Sequence, residues 1–292
     1  MQTQVTTLEV KENALSTAPR AMPGDRARRF LEVAVTVAIW ITISVVFHLE
    51  RGHQLLGIPL IAVFQLGVRR QPLRTLWVRD GGRFHLDAKG WTLAGLLGLY
   101  PSYRMFMLVH SRAPLGKIAM SLAAVAGAIP MAYALRSFRR SALRPLLLCL
   151  ATAGGLGILI VVVFALAQGA EHYTLLQRLQ VFIDGMLRYL PVGFVVEEVS
   201  FRGAFDSHLF HPGESRGILS ALFVSALWGL WHIPAVIGKG PVLAIAPMLV
   251  IVHCILGVPL SIYWRRSGNL LVPASAHALG DAARNALLGS PS

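Results

Sequence analysis

Residues 145–168 read PLLLCLATAGGLGILIVVVFALAQ and contain no charged side chain. A transmembrane helix needs roughly 20 consecutive, predominantly apolar residues, and this run has that length and composition. The stretch therefore predicts a helix that crosses a lipid bilayer, and this expectation sets the class of the whole chain.

Further apolar runs lie on both sides of this stretch. They are 30–49, 91–111, 118–135, 181–209 (with interruptions), 218–237, 242–264 and 270–289, with a shorter run at 54–68. Hydrophobic residues make up 55% of the 292 positions and charged residues only 14%, whereas a soluble domain carries about 25% charged residues. We therefore predict an all-α, polytopic transmembrane helical bundle with eight or nine spans, depending on whether 54–68 crosses the membrane.

The basic residues are concentrated in alternate loops. The N-terminal segment and the loops near 69–90, 136–144 and 211–217 hold most of them. Because Lys and Arg accumulate on the cytoplasmic side, we expect a multi-pass integral membrane protein, in contact with membrane lipids, whose N-terminus is cytoplasmic. This bias also accounts for the net charge of +13 without a nucleic-acid partner, because the positive residues do not form one basic face.

Three segments follow from these patterns. Residues 1–29 are polar and are expected to form a flexible cytoplasmic tail, and 30–180 hold N-terminal transmembrane helices with basic loops. Residues 181–292 form a C-terminal core that differs because ionisable residues interrupt its apolar runs. An ionisable group deep in a bilayer costs about 2.5–3.5 kcal/mol on insertion scales and is a candidate for function. The residues concerned are Asp184, Arg188, Glu197, Glu198, Arg202, Asp206, His208, His232, His253, His277, Asp281 and Arg284.

The first motif in this core is Glu197-Glu198-Val199-Ser200-Phe201-Arg202. On a helix, Glu198 and Arg202 are four residues apart and can form an ion pair. Glu197 projects in another direction. The motif therefore predicts one carboxylate that is paired within the helix and one that faces a cavity. The alternative interpretation is a helix end at the lipid headgroups, where the same charged residues would have no special role.

Two histidine motifs follow on later apolar runs. His232 comes four residues after Trp228, and His277 comes four residues before Asp281. Each histidine alone is compatible with a hydrogen bond between helices. Together with Glu197, they form a set that can hydrate an amide. Glu and His can deprotonate a water or ligate a metal that does so, and a second His can stabilise an oxyanion.

The order and spacing of these motifs resemble the CAAX protease and bacteriocin-processing (CPBP) family of intramembrane peptidases. The family pattern is E-E-x-x-x-R, then F-x-x-x-H, then H-x-x-x-N or D, and the resemblance covers about residues 184–289. Trp228 stands where the family usually has Phe. The resemblance implies a CPBP-like catalytic core at 181–292 and a prokaryotic cell membrane as the location.

The resemblance also implies roles for the motif residues. Glu197 would activate water with His232 as its partner, and Glu198 with Arg202 would form a structural pair. His277 and Asp281 would serve the oxyanion or support the site. No cofactor is certain, but a divalent metal such as zinc is compatible with ligation by Glu197, His232 and His277; the HExxH zinc motif is absent. The expected substrates are membrane-associated peptides or proteins, of CAAX type or with a leader peptide.

Other interpretations of the same residues remain open. A rhomboid-like serine protease would need Gly-x-Ser-Gly, which the sequence lacks. A presenilin-like site could use Asp184 and Asp281, although the first glycine of Gly-x-Gly-Asp is missing. The alternative from a different class is a non-catalytic membrane scaffold, a bacteriocin self-immunity protein or a small transporter, whose polar residues would pair structurally or line a pathway.

Overall fold

The computed structural model describes residues 23–49, 52–79, 82–169, 173–210 and 217–289. Within these ranges the regular structure is helical, apart from one isolated antiparallel bridge between Val78 and Asn269. The predicted all-α class is confirmed. The expected tail at 1–29 lies outside the described residues up to residue 22. The first described helix begins at Pro23 and so includes the last residues of that segment; proline and Asp25 suit a helix N-terminus.

Twelve α-helices occur in the described part of the chain. In chain order they are α1 Pro23–Val46, α2 His53–Val63, α3 Ala88–His110, α4 Leu115–Arg136, α5 Leu143–Cys149, α6 Gly155–Gln168, α7 Leu175–Gly193, α8 Ser207–Leu209, α9 Ile218–Trp231, α10 Ile233–Val236, α11 Val242–Ser267 and α12 Leu271–Leu288. The π-helical segments Phe64–Val68, Leu150–Gly154 and Val199–Asp206 extend or join neighbouring helices. Short 3₁₀ turns lie at Leu73–Leu76 and Arg140–Ala142.

Every predicted apolar run overlaps a helix, but fewer helices than expected have the length and composition of a span. In the described residues five qualify, namely Asp25–Val46, Leu115–Arg136, Arg140–Ala167, Ile218–Val236 and Val242–Ser267. The run at 54–68 forms the shorter apolar helix His53–Val68. The count of eight or nine spans is therefore not confirmed. The helices α3, α7 and α12 fall short because each carries several ionisable side chains.

Helix α12 lies at the centre of the C-terminal core. It packs most extensively on α7 and also contacts α6 and α11, while α9 packs along α11. Buried alanines line much of α12, including Ala274, Ala278 and Ala282, and small residues allow helices to approach closely. Large apolar side chains such as Leu166 and Leu243 point outward instead, as expected for helices that face lipid. This packing brings α12 beside the helices that carry the other two motifs.

A polar cluster joins α3 to α7. The Asp184 carboxylate pairs with Arg188 one turn later, accepts a hydrogen bond from the Tyr100 hydroxyl and lies 3.7 Å from Nε of Arg104. These contacts explain why an arginine is tolerated within the apolar run 91–111. Asp184 is therefore paired with two arginines, and its carboxylate helps to hold α3 against α7.

The segment before α3 is docked against the core. The indole N–H of Trp77 donates to the carbonyl of Phe194 (2.8 Å), and the backbone N–H of Leu270 donates to the carbonyl of Trp77 (2.9 Å). Leu76 and Val78 are buried. Residues 76–78 of the basic loop near 69–90 thus pack on the core close to the Glu197-Glu198 motif, which the sequence did not indicate.

Gly203 makes this docking possible. A Cβ at Gly203 would lie 2.5 Å from the carbonyl oxygen of Leu76, whereas a Cβ at Gly95 in α3 would meet nothing within 4 Å. We expect Gly203→Ala to destabilise the protein by about 1–3 kcal/mol, as overpacking does, and Gly95→Ala to be neutral or slightly stabilising. Thermal unfolding of both purified variants in one detergent checks this. Equal melting temperatures would show that the segment does not pack this closely.

Candidate active site

The two adjacent glutamates lie just after a break in the helix. α7 ends at Gly193, two residues after Pro191, and a turn at 194–196 precedes Glu197 and Glu198. The chain then continues as the π-helical segment Val199–Asp206, a rare geometry that occurs frequently at functional sites. The break separates the carboxylates from α7 and lets them enter the space between α9 and α12.

Glu198 belongs to a buried ion pair, as the sequence predicts. Its Oε1 atom accepts hydrogen bonds from Nη1 of Arg202 (3.2 Å) and from Nδ1 of His277 (2.8 Å). The side chains of Glu198 and Arg202 are both fully buried. The Arg202 guanidinium also lies over the Trp228 ring, 4.2 Å from its centroid, which suits a cation–π contact. One motif residue from each of the three helical regions is thus in direct contact here.

Glu197 accepts hydrogen bonds from other partners than Glu198 does. Its Oε2 atom accepts a hydrogen bond from the indole N–H of Trp228 (3.0 Å), and its Oε1 atom accepts one from the side-chain amide of Gln54 (3.3 Å). The Nε2 atoms of His232 and His277 each lie 3.9 Å from Oε2. At that separation no direct hydrogen bond forms, but one bridging water can serve both groups.

His232 lies where α9 gives way to the short helix α10. The predicted run at 218–237 coincides with the candidate span Ile218–Val236, within which α9 ends at Trp231 and α10 begins at Ile233. Nδ1 of His232 donates to the carbonyl oxygen of Trp228 (2.9 Å). Because a carbonyl can only accept, the proton is fixed on Nδ1, and Nε2 is directed toward Glu197.

His277 connects the two glutamates to Asp281. With Nδ1 bonded to Glu198, its Nε2 lies 3.5 Å from Oδ2 of Asp281. Asp281 in turn pairs with Arg284, 2.8 Å from Nη1 to Oδ1. Asp281 is therefore held between a histidine and an arginine, and Asp184, its partner in a presenilin-like site, belongs to the separate cluster between α3 and α7.

A small cavity borders this group. It measures about 20 Å³, and Glu197, Glu198, His277 and Asp281 are among its lining residues. A polar cavity above roughly 10–15 Å³ can hold one water molecule. The site therefore offers a place for a water directly beside the Glu197 carboxylate.

The proposed metal ligands do not form a metal-binding arrangement. In the described residues no three His, Cys, Asp or Glu side chains are grouped to hold an ion. Two donors that share one tetrahedral zinc ion, each about 2.0–2.2 Å from the metal, lie about 3.4 Å apart, and Glu197 Oε2 is 3.9 Å from each histidine nitrogen. These separations are close to that spacing, but Glu197 Oε2 already accepts the Trp228 N–H, so the residues would have to shift to hold an ion.

Sequence reasoning missed other residues that complete the site. Gln54 contacts Glu197 from 143 residues away in the chain. Trp228 was noted only as a replacement for the usual Phe, not as a donor to Glu197. His253 was counted among the ionisable residues but given no role. Its ring lies 4.3 Å from the His232 ring and 4.5 Å from the Trp228 ring, centroid to centroid. A lone histidine in the apolar run 242–264 was the available signal for it.

Comparisons with known proteins agree with the motifs. Residues 179–283 match the family model described as Rce1-like, type II CAAX prenyl endopeptidase. No curated protein and no solved structure matched the chain. The matched segment contains all three motifs that meet around Glu197 and His277. The match therefore supports a relationship of this segment to the CAAX protease and bacteriocin-processing family.

Proposed function

We propose that the chain is an intramembrane endopeptidase that hydrolyses peptide bonds with a water activated by Glu197 and His232. The observation that carries this proposal is the position of Glu197 Oε2, which lies 3.9 Å from two histidine nitrogens and borders a water-sized cavity. The family assignment favours a peptidase of the CAAX type. Cleavage of membrane-anchored peptides by the purified chain is the test.

In this mechanism Glu197 acts as the general base. Its carboxylate takes a proton from the water while the water oxygen bonds to the carbonyl carbon of the scissile peptide bond. The carbonyl electron pair moves onto the carbonyl oxygen. When the C–N bond breaks, the protonated Glu197 passes its proton to the leaving amine, so that one acid and one amine are formed. General bases of this kind accelerate reactions by roughly 10²–10⁴-fold.

The two histidines form hydrogen bonds with the attacking water and with the oxyanion in this scheme. Nε2 of His232 can accept a hydrogen bond from the attacking water or, once protonated, donate one to the oxyanion. Nε2 of His277 lies at the same distance from Glu197. Three further residues act through His277. Glu198 and Asp281 flank the His277 ring, and Arg202 neutralises the charge of Glu198. They are positioning residues in this scheme.

The substrates follow from the location of the site. It lies among apolar helices, so a substrate must reach it from the bilayer or from a lipid-attached segment at its surface. We therefore propose membrane-associated peptides or proteins as substrates, of CAAX type or with a leader peptide. If a divalent metal such as zinc is also used, Glu197, His232 and His277 are the residues that would have to rearrange around it.

The Trp228 hydrogen bond gives a sharp test of Glu197 positioning. Trp228→Phe introduces the residue usual in the family but removes the N–H donor to Oε2. We expect kcat to fall roughly tenfold with little change in KM, because a hydrogen bond to a charged group contributes about 1.5–3 kcal/mol. Trp91→Phe, at an exposed position in α3, is the matched control. An unchanged kcat in Trp228→Phe would show that this hydrogen bond does not orient the base.

We also propose the orientation and full number of spans. α3, α7 and α12 bring the five candidate spans to eight. α2 brings them to nine, and it must cross the membrane if the N-terminus and the basic loops at 69–90 and 136–144 are all cytoplasmic. In a chain whose Cys149 and Cys254 are replaced by serine, we expect a cysteine at position 140 to be labelled only from inside and one at position 112 only from outside. Labelling of position 140 by an impermeant reagent in intact cells would contradict this orientation.

A further inference from the structure

A second cavity lies at one end of the bundle, away from the candidate active site. It measures about 460 Å³ and lies between the segment before α3 and the end of α4. Its ionisable lining residues are Arg83, His85, Asp87, Arg136 and Arg139, and Tyr133, Ser137 and Phe138 complete its wall. A volume in this range is typical of sites for small molecules. The proposed peptidase mechanism uses none of these residues.

The charge of this cavity is positive. Three arginines and one aspartate line the cavity. The carboxylate of that aspartate, Asp87, is already paired, since its Oδ2 atom lies 2.7 Å from Nη2 of Arg136. The backbone N–H of Gly90 and the Arg136 guanidinium lower the pKa of Asp87, so it stays ionised at neutral pH and pairs with Arg136. The lining as a whole therefore keeps an excess of positive charge, which attracts an anion.

The position of the cavity indicates where that anion comes from. α4 is long and apolar enough to cross a membrane and ends at Arg136 on the cavity wall. The cavity is thus at the level of the lipid headgroups. Exposed aromatic residues lie at the same end, namely Phe84, whose ring packs on Tyr133 at 4.8 Å, and Trp91 in the first turn of α3. Aromatic residues of this kind are enriched at the membrane–water interface.

We propose that this basic cavity binds the headgroup of an anionic phospholipid. Its arginines match a phosphate, which guanidinium groups recognise through paired hydrogen bonds. Basic pockets between transmembrane helices bind lipid headgroups in the same way. A free phosphate is much smaller than this cavity of about 460 Å³, whereas a glycerophosphate headgroup carries the same anion on a larger group.

The test measures lipid binding to the full chain in neutral detergent micelles. Phosphatidylglycerol, phosphatidylcholine and inorganic phosphate are titrated separately, with the shift in melting temperature and native mass spectrometry as readouts. The cavity variant combines Arg83→Gln with Arg139→Gln and leaves Arg136 in place to hold Asp87. The control combines Arg140→Gln with Arg144→Gln, which removes the same charge near the same end at positions that do not line the cavity.

We expect phosphatidylglycerol to bind and stabilise the wild type and the control, and the cavity variant to lose roughly tenfold or more in apparent affinity. Arg83→Gln alone, at an exposed position, should show part of this loss and covers the case in which the double variant does not fold. Equal affinities of cavity and control variants would overturn the proposal. So would equal stabilisation by phosphatidylcholine or by inorganic phosphate.

Discussion

Glu197→Gln is expected to remove peptide hydrolysis while leaving the fold intact. Gln has the same shape, and its carbonyl oxygen can still accept the Trp228 N–H, but it cannot take a proton from water. The rate should therefore fall by roughly 10²–10⁴-fold, the contribution of a positioned general base. Steady-state cleavage of a membrane-anchored peptide by wild type and variant in the same detergent gives the ratio.

Glu32→Gln is the matched control for this variant. Glu32 in α1 pairs with Arg28 and His208 and takes no part in the proposed reaction, so this change should keep turnover within a few-fold. A folded Glu197→Gln protein with wild-type turnover would eliminate Glu197 as the base. If the protein were a scaffold or immunity protein instead, both variants would keep partner binding and the wild type itself would cleave nothing.

Arg202→Ala is expected to have the largest effect on stability. Glu198 and Arg202 are both fully buried, and removing one partner of a buried pair costs about 3–5 kcal/mol because the other charge is left uncompensated. The variant also loses the guanidinium that lies 4.2 Å from the Trp228 ring centroid. The free energy of unfolding and the level of protein in the membrane should both fall sharply.

Arg112→Ala provides the comparison, because Arg112 lies exposed in the loop between α3 and α4 and should tolerate the change. Adding Glu198→Gln to Arg202→Ala should recover part of the lost stability, since the stranded charge is then removed. Equal melting temperatures for Arg202→Ala and Arg112→Ala would contradict the burial of this pair. A double variant no more stable than Arg202→Ala would show that lost packing, and not the stranded charge, is responsible.

The sequence indicates the helical class and the three motifs that the structure brings together. Glu198 and Arg202 are four residues apart, so local helix geometry brings them together. His232 and His277 were predicted as site residues because placing an ionisable side chain in a long apolar run costs free energy and therefore indicates a functional role. The match of residues 179–283 to the CAAX prenyl endopeptidase model rests on the same segment.

Other features depend on tertiary packing that local patterns do not encode. The contact of Gln54 with Glu197 depends on how α2 approaches the core, and a single glutamine in a short apolar run gives no sign of it. The docking of Trp77 on the Phe194 carbonyl depends on Gly203, whose missing Cβ leaves room for Leu76. The count of eight or nine spans is likewise not confirmed, because α3, α7 and α12 combine apolar length with charged side chains, among them Arg104, which lies beside Asp184 of α7.

The measurement that tests the central claim most directly is the cleavage rate of purified wild-type protein after thorough chelation, with metal content determined on the same sample. Glu197 and His277 line a water-sized cavity, and Nε2 of His232 lies 3.9 Å from Oε2 of Glu197. This arrangement predicts hydrolysis of a membrane-anchored peptide library at an undiminished rate in metal-free protein. A rate that vanishes with the metal and returns with one equivalent of zinc would contradict the general-base scheme. No cleavage with or without metal would contradict the peptidase function itself.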